Sequence, residues 1–265
     1  MNKRSRLPVA LTIAGSDSGG GAGIQADLKV FASLEVHGTS VITCLTAQNP
    51  KEVKGIQAVH PPLLRQQIEA VFAELPPVAV KTGMLYSSSL IRVVVDFFSG
   101  NRTPALIVDP VMVATSGAAL LRPSAARLLQ KSLLPLATLV TPNLPEAEIL
   151  LGHPIRTVEQ LRAAAREIHK RFGCAALVKG GHLGNGPQAI DFYYDGQQEL
   201  LLSAPRIRGA SSHGTGCTYS AAIAAYLALG SNLPLAVSKA KEYITQAIAQ
   251  SLKVGRHDVL NWFWD

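Results

Sequence analysis

The residues best placed to do chemistry form a short run ahead of an alanine-rich stretch that ends near Gly230: His213-Gly214-Thr215-Gly216-Cys217-Thr218. Glycines at two of these positions allow a tight turn and a close approach to a ligand. The alanine-rich stretch predicts a helix, whose first turn offers unpaired N–H groups and a partial positive charge to an anion. A thiol in that turn is expected to ionise more readily than usual. An anion hole beside an activatable base suits phosphoryl transfer, although a buried helix with an inert cysteine explains the same residues equally well.

A second glycine-rich segment spans residues 15–23, between a predicted strand and a predicted helix. It contains a match to the dinucleotide fingerprint G-x-G-x-x-A, beginning at Gly21. The match is weak, because that glycine lies well past the strand end and the next strand ends without the acid that holds a ribose. A phosphate-binding loop of the form G-x-x-x-x-G-K-[ST] is absent from the sequence. Any phosphate cradle is therefore expected at the helix that begins near Gly214.

Several polar residues follow other predicted strands and could assist at an anionic ligand. Asn143 and Glu146 are one helical turn apart and could share a hydrated Mg²⁺, although simple helix capping accounts for the pair as well or better. Asp109 precedes a proline, so it is either a further acid near the metal or a turn residue. Lys179 precedes two glycines and could neutralise phosphate charge or extend from the sheet rim into solvent.

His213 and Cys217 are four residues apart, which raises a Cys–His hydrolase as an alternative. The intervening glycines make a continuous helix through both residues doubtful, and no orienting third residue is evident. The remaining histidines lack metal-ligand spacing. The aromatic run Trp262-Phe263-Trp264 is interpreted as a packing anchor rather than a recognition element.

Hydrophobic periodicity places these residues on alternating strands and helices. Strands are predicted at residues 8–14, 40–47, 55–60, 78–81, 105–109, 139–141, 175–179, 189–194 and 199–203. Helices are predicted at residues 22–36, 61–74, 87–98, 123–134, 143–151, 158–172, 215–229 and 233–252. This alternation indicates an α/β protein with a mainly parallel sheet and helices on both faces. Without an evident linker or repeat, a single domain over residues 1–265 is expected, with its ligand beyond the carboxyl ends of the strands.

Composition supports this class of fold. The chain of 265 residues is 48% hydrophobic and 16% charged, so it can bury a large core and is not a disordered chain. Its net charge of +7 is scattered rather than gathered into a patch, which disfavours nucleic acid and is compatible with a small anionic substrate. Three cysteines without disulfide-like spacing fit a reducing cytoplasm. No apolar run approaches the length of a membrane span, so no membrane association is expected.

Taken in chain order, the motifs closely resemble those of the bacterial hydroxymethylpyrimidine/phosphomethylpyrimidine kinases of thiamine biosynthesis, which belong to the ribokinase-like superfamily. The resemblance extends over roughly residues 9–252. The matching segments are AGSD (14–17), QAD (25–27), TAQN (46–49), KTGM (81–84), DPVM (109–112), TPNLPEAE (141–148), VKGGH (178–182) and HGTGC (213–217). Eight motifs in order are far more specific than any one of them.

The resemblance implies a three-layer αβα sandwich and an enzyme that uses ATP twice. It would phosphorylate 4-amino-5-hydroxymethyl-2-methylpyrimidine and then its monophosphate. The implied pyrimidine-binding residues are Gln48, Gly15, Asp27, Met84 and Val111. The implied anion hole consists of Gly214, Thr215, Gly216 and the base Cys217, which replaces the aspartate of most of the superfamily. Implied nucleotide-binding residues are Lys179, Asn143 and His213, with Glu146 and Asp109 near a Mg²⁺ held through water.

The resemblance also implies a homodimer and leaves a monovalent cation open. One departure precedes the anion hole, where Ser211-Ser212 stands in place of the expected Asn-Thr. A pyridoxal or pyridoxine kinase remains the nearest alternative, because it would share the same anion hole. A non-catalytic nucleotide-binding module and a dinucleotide-dependent oxidoreductase are more distant alternatives.

Overall fold

A computed structural model describes residues 6–100, 104–112, 121, 123–181, 183, 186–207 and 213–264. Its strands are β1 (Val9–Asp17), β2 (His37–Gln48), β3 (Val53–Ala58), β4 (Ala79–Thr82), β5 (Ala105–Val108), β6 (Leu139–Val140), β7 (Ala175–Gly180), β8 (Gln188–Tyr194), β9 (Glu199–Pro205), β10 (Leu252–Val254) and β11 (His257–Val259). Its helices are α1 (Gly23–Ser33), α2 (Pro61–Glu74), α3 (Ser88–Ser99), α4 (Pro123–Leu128), α5 (Leu144–Leu151), α6 (Val158–Phe172), α7 (Thr215–Ala228) and α8 (Leu233–Ala249).

Nine strands form one sheet in the order β3-β2-β1-β4-β5-β6-β7-β8-β9. Neighbouring strands pair in parallel along the run β2-β1-β4-β5-β6-β7. At one end of the sheet β3 is antiparallel to β2, and at the other β8 and β9 form an antiparallel extension beyond β7. The six parallel strands therefore end at the same edge of the sheet. The predicted mainly parallel α/β architecture is confirmed.

Helices cover both faces of the sheet because successive residues of each strand point to opposite faces. Leu106 and Val108 of β5 pack with α2 to α6 on one face, while Ile107 packs with α1, α7 and α8 on the other. Both faces of the central strands are fully buried, as is usual for parallel sheets. The result is the expected three-layer sandwich.

Most element boundaries lie within a few residues of the prediction, and α2 and α6 match it at both ends. The prediction was wrong for residues 15–17, which continue β1 past an irregularity at Ala14/Ser16 instead of forming a loop. The predicted helix at residues 123–134 is α4 followed by a π turn and a 3₁₀ turn. The hairpin β10–β11 was missed, because its strands of three residues are too short for periodicity to reveal.

Candidate active site

Side chains from the carboxyl ends of five parallel strands lie at one edge of the sheet, and three of them, Asp17, Asp109 and Lys179, lie beside His213 and the first turns of α7. Asp17 ends β1, Asp109 follows β5, Asn143 follows β6 and Lys179 lies near the end of β7. Gln48 ends the neighbouring strand β2. Parallel sheets of this kind bind ligands at this edge, so the structure brings together most of the residues that the sequence singled out.

Two glycine-containing loops meet at the N-terminus of α7. Gly214 is the N-cap residue with φ of +79°, in the left-handed region. A Cβ atom built on it would lie 1.8 Å from the carbonyl oxygen of Gly21, and a Cβ on Gly21 would lie 2.7 Å from the His213 ring. Only glycine fits at position 214, and a side chain at position 21 would displace the His213 ring. The two backbones can therefore approach closely, and the first N–H groups of α7 face the space beside them.

Asp17 organises the glycine-rich loop. Its carboxylate accepts hydrogen bonds from the backbone N–H groups of Gly19, Gly21 and Ala22 at 2.8, 3.1 and 2.9 Å. The same carboxylate lies 3.0 Å from Nε2 of His213, 196 residues away. Burial opposes the charged form, but the His213 and backbone hydrogen bonds outweigh it and hold the pKa of Asp17 below its usual value. One buried carboxylate thus attaches the loop to the start of α7.

Cys217 is half-buried in the first turn of α7, and its thiol does not show the expected easy ionisation. Burial raises the pKa of the Cys217 thiol to about 11, and the nearby charge of Lys81 offsets only part of that rise. The prediction that the helix start would favour the thiolate was wrong, because loss of hydration outweighs it. The thiol is therefore mostly neutral at pH 7, with only a small ionised fraction.

Behind Cys217 lies a fully buried ion pair. Nζ of Lys81 is 2.8 and 2.7 Å from the carboxylate oxygens of Asp27, and Thr12 donates to the same carboxylate at 2.6 Å. Both charged side chains are 0% exposed. Burial alone would lower the pKa of Lys81, but the carboxylate of Asp27 raises it above its ordinary value. Lys81 and Thr12 hold the carboxylate of Asp27, the residue that the sequence resemblance assigns to the pyrimidine pocket.

We expect Lys81→Met to lower the free energy of unfolding by about 3–5 kcal/mol, because it leaves the carboxylate of Asp27 buried without its partner. Lys54→Met is the matched control, since Lys54 faces Glu52 at the surface with both side chains at least half exposed. That control should cost less than about 1 kcal/mol. Urea unfolding followed by circular dichroism measures both. The double variant Lys81→Met/Asp27→Asn should recover part of the loss; equal losses for Lys81→Met and Lys54→Met would contradict the assignment.

A second charge pair stands at the other side of α7. Nζ of Lys179 lies 3.1 Å from Asp109, whose carboxylate also accepts from Ser220 at 3.2 Å. A Cβ on Gly216 would lie 3.2 Å from the same Nζ, so this glycine lets the lysine reach the helix start. Burial would lower the pKa of Lys179, but Asp109 and Glu146 raise it. The lysine therefore remains a cation beside the N–H groups of α7.

Asn143 and Glu146 form the capping box that the sequence allowed. The Asn143 side chain accepts from the Glu146 N–H at 3.0 Å, and Glu146 accepts from the Asn143 N–H at 3.0 Å. Glu146 also accepts from the backbone N–H of Met112 at 3.1 Å and is 2% exposed. Burial, reinforced by Asp109, raises the pKa of Glu146 to about 7. The capping box also holds the Glu146 carboxylate near Asp109. A pair of neighbouring acids is compatible with metal binding.

The donor chemistry of this corner fits a magnesium ion bound indirectly. Burial is the main cause of the raised pKa of Glu146, and repulsion from Asp109 adds to it, so a cation between the two carboxylates would relieve that repulsion. Among the described residues, no group of three or more His, Cys, Asp or Glu side chains forms a complete metal cage. Mg²⁺ usually keeps several waters and takes the remaining ligands from substrate phosphates. The two carboxylates fit that mode of binding.

The residues expected to line the pyrimidine pocket lie at neighbouring strand ends. A Cβ on Gly15 would lie 2.9 Å from Sγ of Cys44 and 3.0 Å from the Met84 methyl group, so the glycine leaves space there. Gln48 is half-buried, and its Oε1 accepts from Thr46 at 3.2 Å. Val111 has φ of +40°, which is rare for a β-branched residue and is typical of functional sites.

Sequence reasoning missed the roles of Asp17, Lys81 and Ser220. An acid inside a glycine-rich loop was the available signal for Asp17, since only a buried anion could gather so many loop N–H groups. For Lys81 the available signal was a lysine within an otherwise apolar strand. No feature of the sequence pointed to Ser220. His182 of the VKGGH motif lies outside the described residues, as do Ser211 and Ser212, where the chain departs from the expected Asn-Thr.

The phosphomethylpyrimidine kinase family matches residues 17–261 of the chain. The chain belongs to this family. It is accordingly a phosphotransferase with a ribokinase-like fold, and the motifs that carried the resemblance are the ones that meet at the rim of the sheet.

Relatives and solved structures agree with this assignment. The chain is 49% identical to the hydroxymethylpyrimidine/phosphomethylpyrimidine kinase of Rhizobium meliloti, covering 97% of this chain and 99% of that protein. It is 47% identical to the thiamine biosynthesis bifunctional protein ThiED of Geobacter sulfurreducens over 96% of this chain, but spans only 52% of that longer protein.

Two solved structures have the same fold over nearly their full length. Pyridoxal kinase of Bacillus subtilis in complex with ADP has a TM-score of 0.89 at 36% identity, covering 96% of this chain and 97% of that one. Phosphomethylpyrimidine kinase of Clostridium difficile has a TM-score of 0.81 at 43% identity, covering 91% and 99%. Among the described residues, no helix has the length and apolar character needed to cross a bilayer.

Proposed function

We propose that the protein uses ATP to phosphorylate 4-amino-5-hydroxymethyl-2-methylpyrimidine and then its monophosphate, as a single kinase domain over residues 1–265 in thiamine biosynthesis. The observation that carries the proposal is the convergence of a thiol, a lysine and the free N–H groups of α7 on one point of the sheet rim. That point can hold a transferring phosphoryl group between an acceptor hydroxyl and a nucleotide. The names of the closely similar relatives support the choice of acceptor.

In the first transfer, the hydroxymethyl oxygen attacks the γ-phosphorus of ATP, and the bond from that phosphorus to the β–γ bridging oxygen breaks. The hydroxyl proton passes to the small thiolate fraction of Cys217. The N–H groups of residues 215–217 and the ammonium of Lys179 stabilise the charge on the transferring group. Catalysis of this kind rests mainly on positioning and charge stabilisation, which the rigid contact between Gly214 and Gly21 provides.

Mg²⁺, when bound, would neutralise charge on the nucleotide phosphates. We propose that Asp109 and Glu146 hold it through water, while Asn143 and His213 contact the nucleotide. Gln48 presents both a donor and an acceptor, which match the edge of an aminopyrimidine. Gly15, Met84 and Val111 would line the same pocket. A homodimer in the cytoplasm, with no nucleic-acid or membrane partner, completes the proposal, which leaves a monovalent cation open.

Pyridoxal phosphorylation is the second candidate function. The observation that favours it is the TM-score of 0.89 to the pyridoxal kinase of Bacillus subtilis. Its acceptor is also a hydroxymethyl group on a nitrogen heterocycle, so the same anion hole would serve. The higher identity to the phosphomethylpyrimidine kinase of Clostridium difficile favours the pyrimidine.

The deciding experiment is an assay of ADP release with Mg-ATP and three acceptors: the pyrimidine alcohol, its monophosphate and pyridoxal. Turnover of both pyrimidines with little turnover of pyridoxal supports the proposal. A preference for pyridoxal would replace it with the second candidate. ATP binding without turnover of any acceptor would instead indicate a non-catalytic nucleotide-binding module.

We expect Gln48→Ala to raise KM for the pyrimidine alcohol by about tenfold, because two hydrogen bonds to the ring edge are lost. KM for ATP should change by less than about twofold, since the proposal places Gln48 against the pyrimidine and not against the nucleotide. Gln57→Ala is the matched control on the neighbouring strand β3, with its amide exposed. Steady-state kinetics with each substrate varied in turn measure both. An unchanged KM for the pyrimidine would remove Gln48 from the pocket.

A further inference from the structure

The aromatic run at residues 262–264 does more than pack against the domain. Trp262 is 6% exposed and uses two different parts of its indole. Its Nε1–H donates to the hydroxyl of Thr218 at 3.0 Å. Its ring face lies 4.3 Å from Nζ of Lys29, a favourable cation–π contact.

Each of these contacts leads directly to one wall of the candidate site. Thr218 follows Cys217 in the first turn of α7 and is fully buried. Lys29, on α1, also donates from Nζ to the carbonyl oxygen of Gly20 at 2.8 Å. Gly20 lies in the glycine-rich loop that contacts Gly214. One indole is therefore linked to both the helix start and the loop that faces it.

The backbone of this segment is itself well anchored. The N–H of Asn261 donates to the carbonyl oxygen of Ala247 on α8 at 3.2 Å, and Tyr243 donates to the carbonyl oxygen of Trp262 at 3.3 Å. Trp264 takes no part in the contacts with the site. Its ring instead packs against the ring of Tyr243, with centroids 4.7 Å apart.

We infer that Trp262, acting through Lys29 and Thr218, is a positioning residue that sets the separation between the glycine-rich loop and the start of α7. We call these contacts the Trp262 bracket. The contact of Asp17 with His213 joins the same two elements. The glycine-rich loop and the start of α7 are then joined by two separate contacts, and loss of the bracket leaves only one of them to keep the loop against α7. The inference rests on the proposed function only for its kinetic consequence.

The test compares four single variants and one double variant of the full chain. Trp262→Phe keeps a ring but removes the indole N–H, and Lys29→Met removes the ammonium. Lys29→Arg keeps a cation that can serve both the carbonyl of Gly20 and the ring. Trp264→Phe is the control, because it alters the same segment without touching the bracket. Hydrogen–deuterium exchange of residues 18–23 and 213–218 is measured in each, together with the melting temperature and steady-state kinetics.

Amide exchange in both segments should rise several-fold in Trp262→Phe and Lys29→Met, and should stay near the wild-type rate in Lys29→Arg and Trp264→Phe. For the pyrimidine alcohol, kcat should fall about tenfold in the first two variants, since misplacement of reacting groups by an ångström is costly. KM for ATP should change by less than about twofold. The double variant Lys29→Met/Trp262→Phe should be little worse than either single variant, because the contacts act together.

Unchanged exchange in both Trp262→Phe and Lys29→Met would overturn the inference. An equal loss of kcat in Trp264→Phe would do the same, since it would reduce the effect to general stability of the segment. The exchange measurement needs no substrate. A wild-type protein that turns over no pyrimidine therefore defeats the proposed function while the bracket is still decided by exchange.

Discussion

Cys217→Ala is expected to slow phosphorylation of the pyrimidine alcohol by about 10²-fold or more, the usual contribution of a general base. Phosphorylation of the monophosphate should slow far less. An alcohol must lose a proton as it attacks, whereas a phosphate monoester has its second pKa near 6 and is already ionised at neutral pH. The same active site would then need Cys217 for one transfer and not for the other.

The raised pKa of Cys217 adds a pH dependence to this prediction. With a pKa of about 11, the thiolate fraction increases tenfold for each pH unit below that value. The rate with the alcohol should therefore rise with pH from 6 to 9, and the rate with the monophosphate should rise much less. Cys217→Asp supplies a carboxylate whose ordinary pKa lies several units below that of the thiol, so the rate with the alcohol should level off at a lower pH than in the wild type.

ADP release is measured with each acceptor separately, and ATP binding is measured by titration calorimetry. Cys217→Ser controls for size, because it keeps a hydroxyl of similar shape that is too weak a base. Equal slowing of both acceptors by Cys217→Ala would mean that the thiol positions the acceptor rather than receives its proton. A near-normal rate with the alcohol would exclude both roles.

Gly214→Ala is expected to slow both transfers alike, by about 10²–10³-fold, which is the effect of losing a donor to a developing anion. The added methyl group would lie 1.8 Å from the carbonyl oxygen of Gly21. Backbone atoms cannot yield locally as a flexible side chain can, so the loop and the start of α7 must separate. Because the anion hole serves the phosphoryl group rather than the acceptor, the choice of acceptor should not matter.

Gly230→Ala is a matched control beyond the other end of the same helix. Gly230 has φ of +87°, as strained for alanine as Gly214 at +79°, but a Cβ there meets no atom within 4 Å. Each variant should lose about 1 kcal/mol of stability from the backbone alone, and only Gly214→Ala should lose the rate. Urea unfolding and ADP release measure the two effects. Comparable rate losses in both variants would mean that lower stability causes the loss, and would contradict the role of Gly214 in the anion hole.

The sequence by itself determined the order of the helices and of the nine strands of the main sheet, and it indicated the edge of the sheet where the candidate site lies. Hydrophobic periodicity reports which face of each element is buried, and that depends on residues close together in the chain. The glycines of the HGTGC motif were also informative, because glycines just before a helix indicate a tight turn that a ligand can approach closely. The match between predicted and observed bounds of α2 and α6 follows from clear local signals: prolines at the start of one, and a Thr cap and a left-handed glycine end for the other.

Only the tertiary structure decided the electrostatics of the site. Lys81 and Asp27 are 54 residues apart, and no local pattern indicates that they form a fully buried pair. The ionisation of Cys217 was predicted from its helix alone and was wrong in direction, because hydration depends on everything packed around the sulfur. The contacts of Asp17 with His213 and of Trp262 with Thr218 join residues far apart in the sequence, so they form only when the chain folds. Charge, hydration and pairing are properties of neighbours in space, and a sequence states only neighbours along the chain.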